Sequence, residues 1–192
     1  ERISHHYRRH FDPVIHVQGN SASQLTFPIR DMYIEAIDTA EECIRLTSAY
    51  FVPDRGLVGA LLKARGRGVE VKVLVPWVSN HVVADWLARG YFTEVLQAGV
   101  RVFGYESMLH AKTCTIDGQW STVGTANLDR LSALGNYEIN VEVYSEALAR
   151  QMQEQFERDV SYARELHWQE WVRRPWYAKL GEVILEPLRN LM

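Results

Sequence analysis

An α/β sandwich built on a mixed sheet is the fold class that the sequence predicts, and three observations carry it. Short β-branched runs such as VEVKVLV (69–75) alternate with longer segments whose apolar residues recur at helical spacing. Strand and helix patterns alternate through residue 105, after which three strand-like runs stand next to one another. The chain has 192 residues, 47% apolar and 23% charged, which suits one globular domain with a sizeable core.

Residues 1–22 are polar and irregular and read as a lead-in. Their histidines at 5, 6 and 10 lack the thiol or carboxylate partners of a metal site. From Ile29 to Glu42, Met32, Tyr33, Ala36, Ile37 and Ala40 fall at helical spacing. CIRLTSAYF (43–51) alternates as a strand does. GLVGALLKARGRG reads as a helix with Gly66 and Gly68 suited to its C-cap. VEVKVLV is the next strand, 82–98 a helix closed by Gly99, and VRVFGY (100–105) a strand. AKTCTID, WSTVGT and YEINVEVY supply three more. Residues 146–167 place Leu148, Met152, Phe156, Val160 and Ala163 on one helical stripe. Residues 23–167 therefore form the expected domain, and 168–192 a tail.

Two function classes recede at this level. A net charge of -3 and a pI near 6.2 give no footprint for a general nucleic-acid binder. Cys43 and Cys114 read as free thiols in strands, since two cysteines make no disulfide framework. No apolar run reaches the roughly 18–20 residues that a transmembrane helix needs. The chain starts at Glu1 rather than Met, as expected of a piece of something longer.

The chemistry concentrates in MLHAKTCTIDGQWSTVGTANLD, residues 108–129. On a strand His110 and Lys112 share one face, while Asp117 falls on the other. An imidazole beside an ammonium suits an anionic substrate: one attacks or moves a proton, the other neutralises oxygens. Asp117 is expected to tie down a turn at Gly118. Thr125 and Asn127 offer a hydroxyl and an amide to a phosphate, and Gly124 lets the backbone come close. Asn80 and His81 follow a strand's carboxyl end, where open α/β sheets place ligand loops.

His-x-Lys-x4-Asp-x6-Gly-Thr-x-Asn resembles the phospholipase D superfamily signature, with Thr125 where Ser is usual. AYFVPD (49–54), RGRGVEVKVLVP (65–76), NLDRLSALGNYEINVEVY (127–144) and the final LEPLRNLM resemble the bacterial cardiolipin synthase branch. The resemblance implies a phospholipase D-like α/β/α sandwich. It also implies a two-step displacement through a phosphohistidine, with no metal or other cofactor. Two imidazoles with an ordinary pKa of ~6.5 can hold opposite protonation states near neutrality. His110, Lys112, Asn127, Glu138 and Asp117 match the catalytic set, with Glu138 as the carboxylate that holds a histidine's other ring nitrogen. Glu142, on the same strand, reads as a surface carboxylate.

The implied mechanism needs two such motifs, and no histidine other than His110 has Lys at the second position after it. The complement is then either an upstream half of a longer polypeptide, the favoured reading, or a second copy of the chain. In the first case residues 1–22 are a connector and His110 the general acid and base. The substrate implied is phospholipid, handled at the cytoplasmic face of a bacterial membrane. A homodimeric nuclease and a non-catalytic phosphate-binding half are the alternatives. In the tail, Trp168, Trp171, Trp176 and Tyr177 stand beside Arg173, Arg174 and Lys179. That composition fits an interfacial membrane contact or a helix packed back on the domain.

Overall fold

A computed structural model describes residues 13–20, 27–77, 82–129 and 137–175, with backbone alone at 82–87 and 129. Its centre is an eight-stranded mixed sheet. The strands are β1 (Val14–Asn20), β2 (Cys43–Thr47), β4 (Glu70–Pro76), β5 (Arg101–Tyr105), β6 (Thr113–Ile116), β7 (Trp120–Gly124), β9 (Glu138–Tyr144) and β10 (Ala163–Leu166). They lie in the order β1-β9-β7-β6-β2-β4-β5-β10. β3 (Phe51–Val52) and β8 (Leu128–Asp129) pair separately, in parallel.

Parallel pairing joins β2, β4 and β5. The helices that link them, α2 (Arg55–Gly66) and α3 (Val82–Gln97), pack with α1 (Pro28–Thr39) on one face of the sheet. Asp54 caps α2 through the Leu57 N–H at 2.9 Å, and Gly68 turns the chain out of it at φ 97°. The main core lies on this face, where Ile44, Leu46, Val71, Val73, Val102 and Cys114 are all fully buried. The expected α/β/α sandwich is what the chain adopts.

The opposite face carries α4 (Glu146–Ser161) over a charged layer. Arg45 is 6% exposed and binds Glu157 at 2.7 Å. Lys72 reaches the same carboxylate at 2.8 Å, and Glu70 bonds Arg45 as well. Leu74, Phe103 and Phe156 form a small apolar cluster beside it. A buried guanidinium is tolerated because two carboxylates meet it.

Three sequence expectations need correction. The lead-in is irregular only in part: Val14–Asn20 is an edge strand paired with β9 over seven residues. Its apolar side chains face water, Val17 being 63% exposed, so hydrophobic alternation did not reveal it. The helix read over 146–167 ends at Ser161, and Ala163–Leu166 returns along β5 as the other edge. Glu142 is not a surface carboxylate but is 6% exposed, and it accepts from Trp120 Nε1 at 2.8 Å and Tyr144 Oη at 2.9 Å. Of the two readings of the tail, its described start follows the one packed back on the domain. α5 (Trp168–Val172) packs on α3, and Trp171 is 4% exposed with Nε1 donating to Thr93 at 3.0 Å. Trp176, Tyr177 and Lys179 lie outside the described residues.

Glu157, Glu70 and Glu165 share one acid-sensitive property. Burial pushes Glu157 up, but hydrogen bonds from Lys72 and Arg45 outweigh it and hold the carboxyl below its usual value. Glu70 is lowered against burial chiefly by Arg45, and Glu165 by its bond to Arg101. Carboxylates lowered on folding contribute stability above the unfolded pKa of about 4.3 and lose it as pH falls through the folded value. Urea denaturation should therefore give a flat stability from neutrality to about pH 5 and a decline below it. Glu157→Gln is expected to lower stability at neutral pH and flatten the acid decline. A decline as steep as the parent's would refute this role.

Candidate active site

Antiparallel pairing carries the motif to one end of the sheet. β6 pairs with β7 at Thr113 and Val123, and β7 with β9 at Gly124 and Asn140. The segment before β6, the turn after β7 and the start of β9 are thereby neighbours. That gathers His110 and Lys112, Gly124–Asn127, and Glu138 at the carboxyl end of the parallel strands.

The placement of His110 and Lys112 differs from a simple strand. β6 starts at Thr113, so both residues belong to the irregular segment before it. Their proximity comes from Lys112 itself, which donates from Nζ to the His110 carbonyl at 2.9 Å. Lys112 is 7% exposed, whereas His110 is exposed. An ammonium so enclosed needs such partners, and its charge is held against the backbone of His110.

Asn127 is half-buried, and its Oδ1 is enclosed without a hydrogen-bond partner among the described residues. A buried amide oxygen without a donor costs roughly 1–3 kcal/mol unless a ligand meets it. The side-chain amide can present either its oxygen or its nitrogen there. Glu138 accepts from the Thr125 hydroxyl, which itself accepts from the Ile139 N–H at 3.0 Å. Thr125 thus braces Glu138, where the sequence reading gave its hydroxyl to the substrate.

Gly124 also has another reason than the one expected. Its N–H donates to the Lys112 carbonyl at 3.2 Å, the Thr125 N–H to the Ile139 carbonyl at 2.9 Å, and the Ala126 N–H to Asn140 Oδ1 at 3.3 Å. Three successive amides are committed, so this turn is no backbone cradle for an anion. A Cβ at Gly124 would stand 2.1 Å from Asn140 Oδ1 and 2.3 Å from the Ile139 carbonyl oxygen. The glycine lets β9 come close, and the Gly124, Thr125 and Ala126 amides are thereby withheld from an anion.

Asp117 lies at the other end of β6. Its carboxylate accepts from the Glu41, Glu42 and Cys43 N–H groups at 2.8, 2.9 and 2.7 Å, holding the α1–β2 connection. The residue has a φ of 52°, and Gly118 follows at 62°, which makes the expected turn. Asn80 and His81 lie outside the described residues. An open cavity of about 830 Å³, lined by Asp117, Arg150, Glu157 and Arg158 among others, sits at the Asp117 end and away from His110. Among the described residues no cluster of His, Cys, Asp and Glu is arranged to hold a metal ion. Sequence reading missed Asn140, for which the only signal was a polar residue inside an apolar strand pattern.

Comparison with known proteins agrees with this geometry. Residues 33–160 match the family described as cardiolipin synthase, phospholipase D-like domain. The chain is 35% identical over 165 residues to a cardiolipin synthase of Clostridium perfringens, covering 85% of this chain and 35% of that protein. It is 30% identical over 165 residues to the major cardiolipin synthase ClsA of Bacillus subtilis, covering 85% and 34%. The chain thus spans about a third of these relatives' length. Among solved structures it resembles the phospholipase D family member Nuc of Salmonella typhimurium, with a TM-score of 0.69 at 22% identity. That match covers 81% of this chain and 99% of the other. It also resembles phosphatidylserine synthase of Haemophilus influenzae, with a TM-score of 0.68 at 14% identity, covering 93% and 46%.

Because the Gly124 slot is filled by Asn140, Gly124→Ala is expected to destabilise the fold by about 1–3 kcal/mol. Chemical denaturation measures it. A variant as stable as the parent would show that β9 can retreat from β7 at no cost.

Proposed function

Because the chain belongs to the cardiolipin synthase, phospholipase D-like domain family, we propose that it supplies one half of a phosphatidyl-transferring active site. The observation that carries the reading is the exposed His110 at the sheet's carboxyl end, with an enclosed lysine bonded to its carbonyl and an Asn127 amide oxygen that has no partner among the described residues. An imidazole open to solvent can reach a phosphorus centre on a lipid headgroup. Lys112 and Asn127 then meet the non-bridging oxygens, where each fixed donor is worth about 3 kcal/mol once water is excluded.

In this reading one histidine attacks the phosphorus, forming the P–N bond as the P–O bond to the leaving alkoxide breaks. A second histidine gives that alkoxide its proton. It then takes the proton of the incoming alcohol, whose oxygen displaces the first imidazole. This chain contributes His110 to the pair. The other histidine comes from a second motif-bearing half, either on a longer polypeptide or on a second copy. His110 serves as acid and base in the first arrangement, and in the second the two copies divide the roles. Glu138, steadied by Thr125, orients the imidazole as the halves close.

Acceptor alcohols of the reaction are glycerol or another phospholipid. Action at the cytoplasmic face of a bacterial membrane belongs to the same proposal. Burial of Trp171 removes that residue from any membrane contact of the tail. No helix among the described residues is long and apolar enough to cross a membrane.

The test is phosphatidyl transfer from phosphatidylglycerol vesicles, measured with both halves assembled. His110→Ala should lower kcat by on the order of 10³-fold or more, because no other group takes over the proton or the phosphorus. Retained turnover in that variant, or cleavage of plasmid DNA in preference to lipid, would overturn the assignment. A strict monomer of this chain should be almost inactive, and robust monomer turnover contradicts a shared site.

A further inference from the structure

Asn140 is fully buried in β9, on the same side of the strand as the buried Glu142. A buried primary amide is costly unless its groups are met, and this one is met from β7 and from the turn that follows it. Its Nδ2 donates to the Thr122 hydroxyl on β7 at 3.2 Å. Its Oδ1 accepts from the Ala126 N–H in the turn at 3.3 Å. Gly124 is what makes room, since a Cβ there would lie 2.4 Å from Asn140 Cγ.

These contacts have one consequence for the site. Ala126 directly precedes Asn127, and it is pinned through its N–H by Asn140 while its own side chain is 3% exposed. The peptide that sets the direction of the Asn127 amide is therefore held by Asn140. Two residues earlier on β9, Glu138 is tied to the same turn through Thr125. Asn140 thus sits behind both ends of the turn, although it touches no solvent and no substrate can reach it.

We infer that Asn140 is a positioning residue for phosphate recognition, holding the Gly124–Asn127 turn so that Asn127 presents its amide to phosphoryl oxygens. This rests on the reading of the site as phosphate-handling. The role requires an acceptor at the Oδ1 position, not an apolar filler of similar volume. A side chain with an acceptor oxygen there would meet two donors, the Ala126 N–H and the Thr122 hydroxyl turned towards it. Asn140→Asp is consequently the conservative replacement, and Asn140→Ala the disruptive one.

The experiment titrates the isotope-labelled chain with inorganic phosphate and follows the Asn127 side-chain amide and His110 ring signals by NMR. The parent should respond at both. Asn140→Ala should keep a dispersed spectrum and a cooperative melt, yet bind phosphate at Asn127 about tenfold more weakly, as loss of one fixed donor predicts. Asn140→Asp should return the response to within about threefold of the parent. If Asn140→Ala does not fold, Asn140→Ser replaces it, since its shorter side chain cannot reach Ala126. A disruptive variant that binds phosphate as the parent does, or an Asp variant no better than it, overturns the positioning role. A parent that answers phosphate at neither Asn127 nor His110 overturns the phosphate reading itself, and the role falls with it.

Discussion

The close approach of β7 and β9 is the constraint on which the site depends. Only a glycine at 124 lets Asn140 and the Ile139 carbonyl come within the distances found, and that approach commits the amides of Thr125 and Ala126 to β9. With the Gly124 N–H given to Lys112, the turn is bonded to both neighbouring strands. Strands β6, β7 and β9 then act as one unit, and three sequence-distant pieces of chemistry share a rim because of it. A looser ladder would leave His110, Asn127 and Glu138 each on its own loop, where positional errors of an ångström cost most.

The opposite end of β6 is held with comparable care, by different means. Asp117 spends its whole carboxylate on three backbone amides of the α1–β2 connection. β2 is the strand on which β6 pairs, so this contact fixes where β6 begins and ends relative to the parallel strands. An aspartate of the motif is thus an anchor, and its place seven residues after His110 puts it just past the far end of β6. The charged layer under α4 serves the same sheet: Glu157 gathers Arg45 from β2 and Lys72 from β4.

Sequence and structure agree where side chains follow a period or a fixed spacing. The helices α1 to α3, the strands β4 to β7 and the motif from His110 to Asn127 were legible because buried stripes and matched spacings leave a pattern. β1 left none: as an edge strand it exposes Val14, Ile15 and Val17, so its residues look like a polar lead-in interrupted by aliphatics. β10 was absorbed into a helix because Ala163 continues the apolar stripe of α4. Glu142 and Asn140 were illegible for a third reason. Their partners, Trp120 and Tyr144 for the one and Thr122 and Ala126 for the other, come largely from β7 and the turn after it, whose adjacency to β9 only the fold creates. Conversely, His110 and Lys112 looked like strand neighbours, and their association comes from a side-chain bond to a backbone carbonyl.

Recognition by side chains alone has a mechanistic cost that points outward from this domain. A phosphate cradle of backbone amides is rigid and works in a single domain. Here the turn that could have formed one is closed, so the donors are an ammonium on a flexible stem and one amide. His110 is exposed, and in water two unit charges 4 Å apart interact by only about 1 kcal/mol. The same charges count several-fold more at the effective dielectric near 20 of a protein-covered site. Such a site becomes effective only when something covers it and excludes water while supplying the second imidazole. On the proposed reading a second motif-bearing half does both at once, covering the His110 that its own chain leaves exposed while Lys112 and Asn127 Oδ1 are already enclosed.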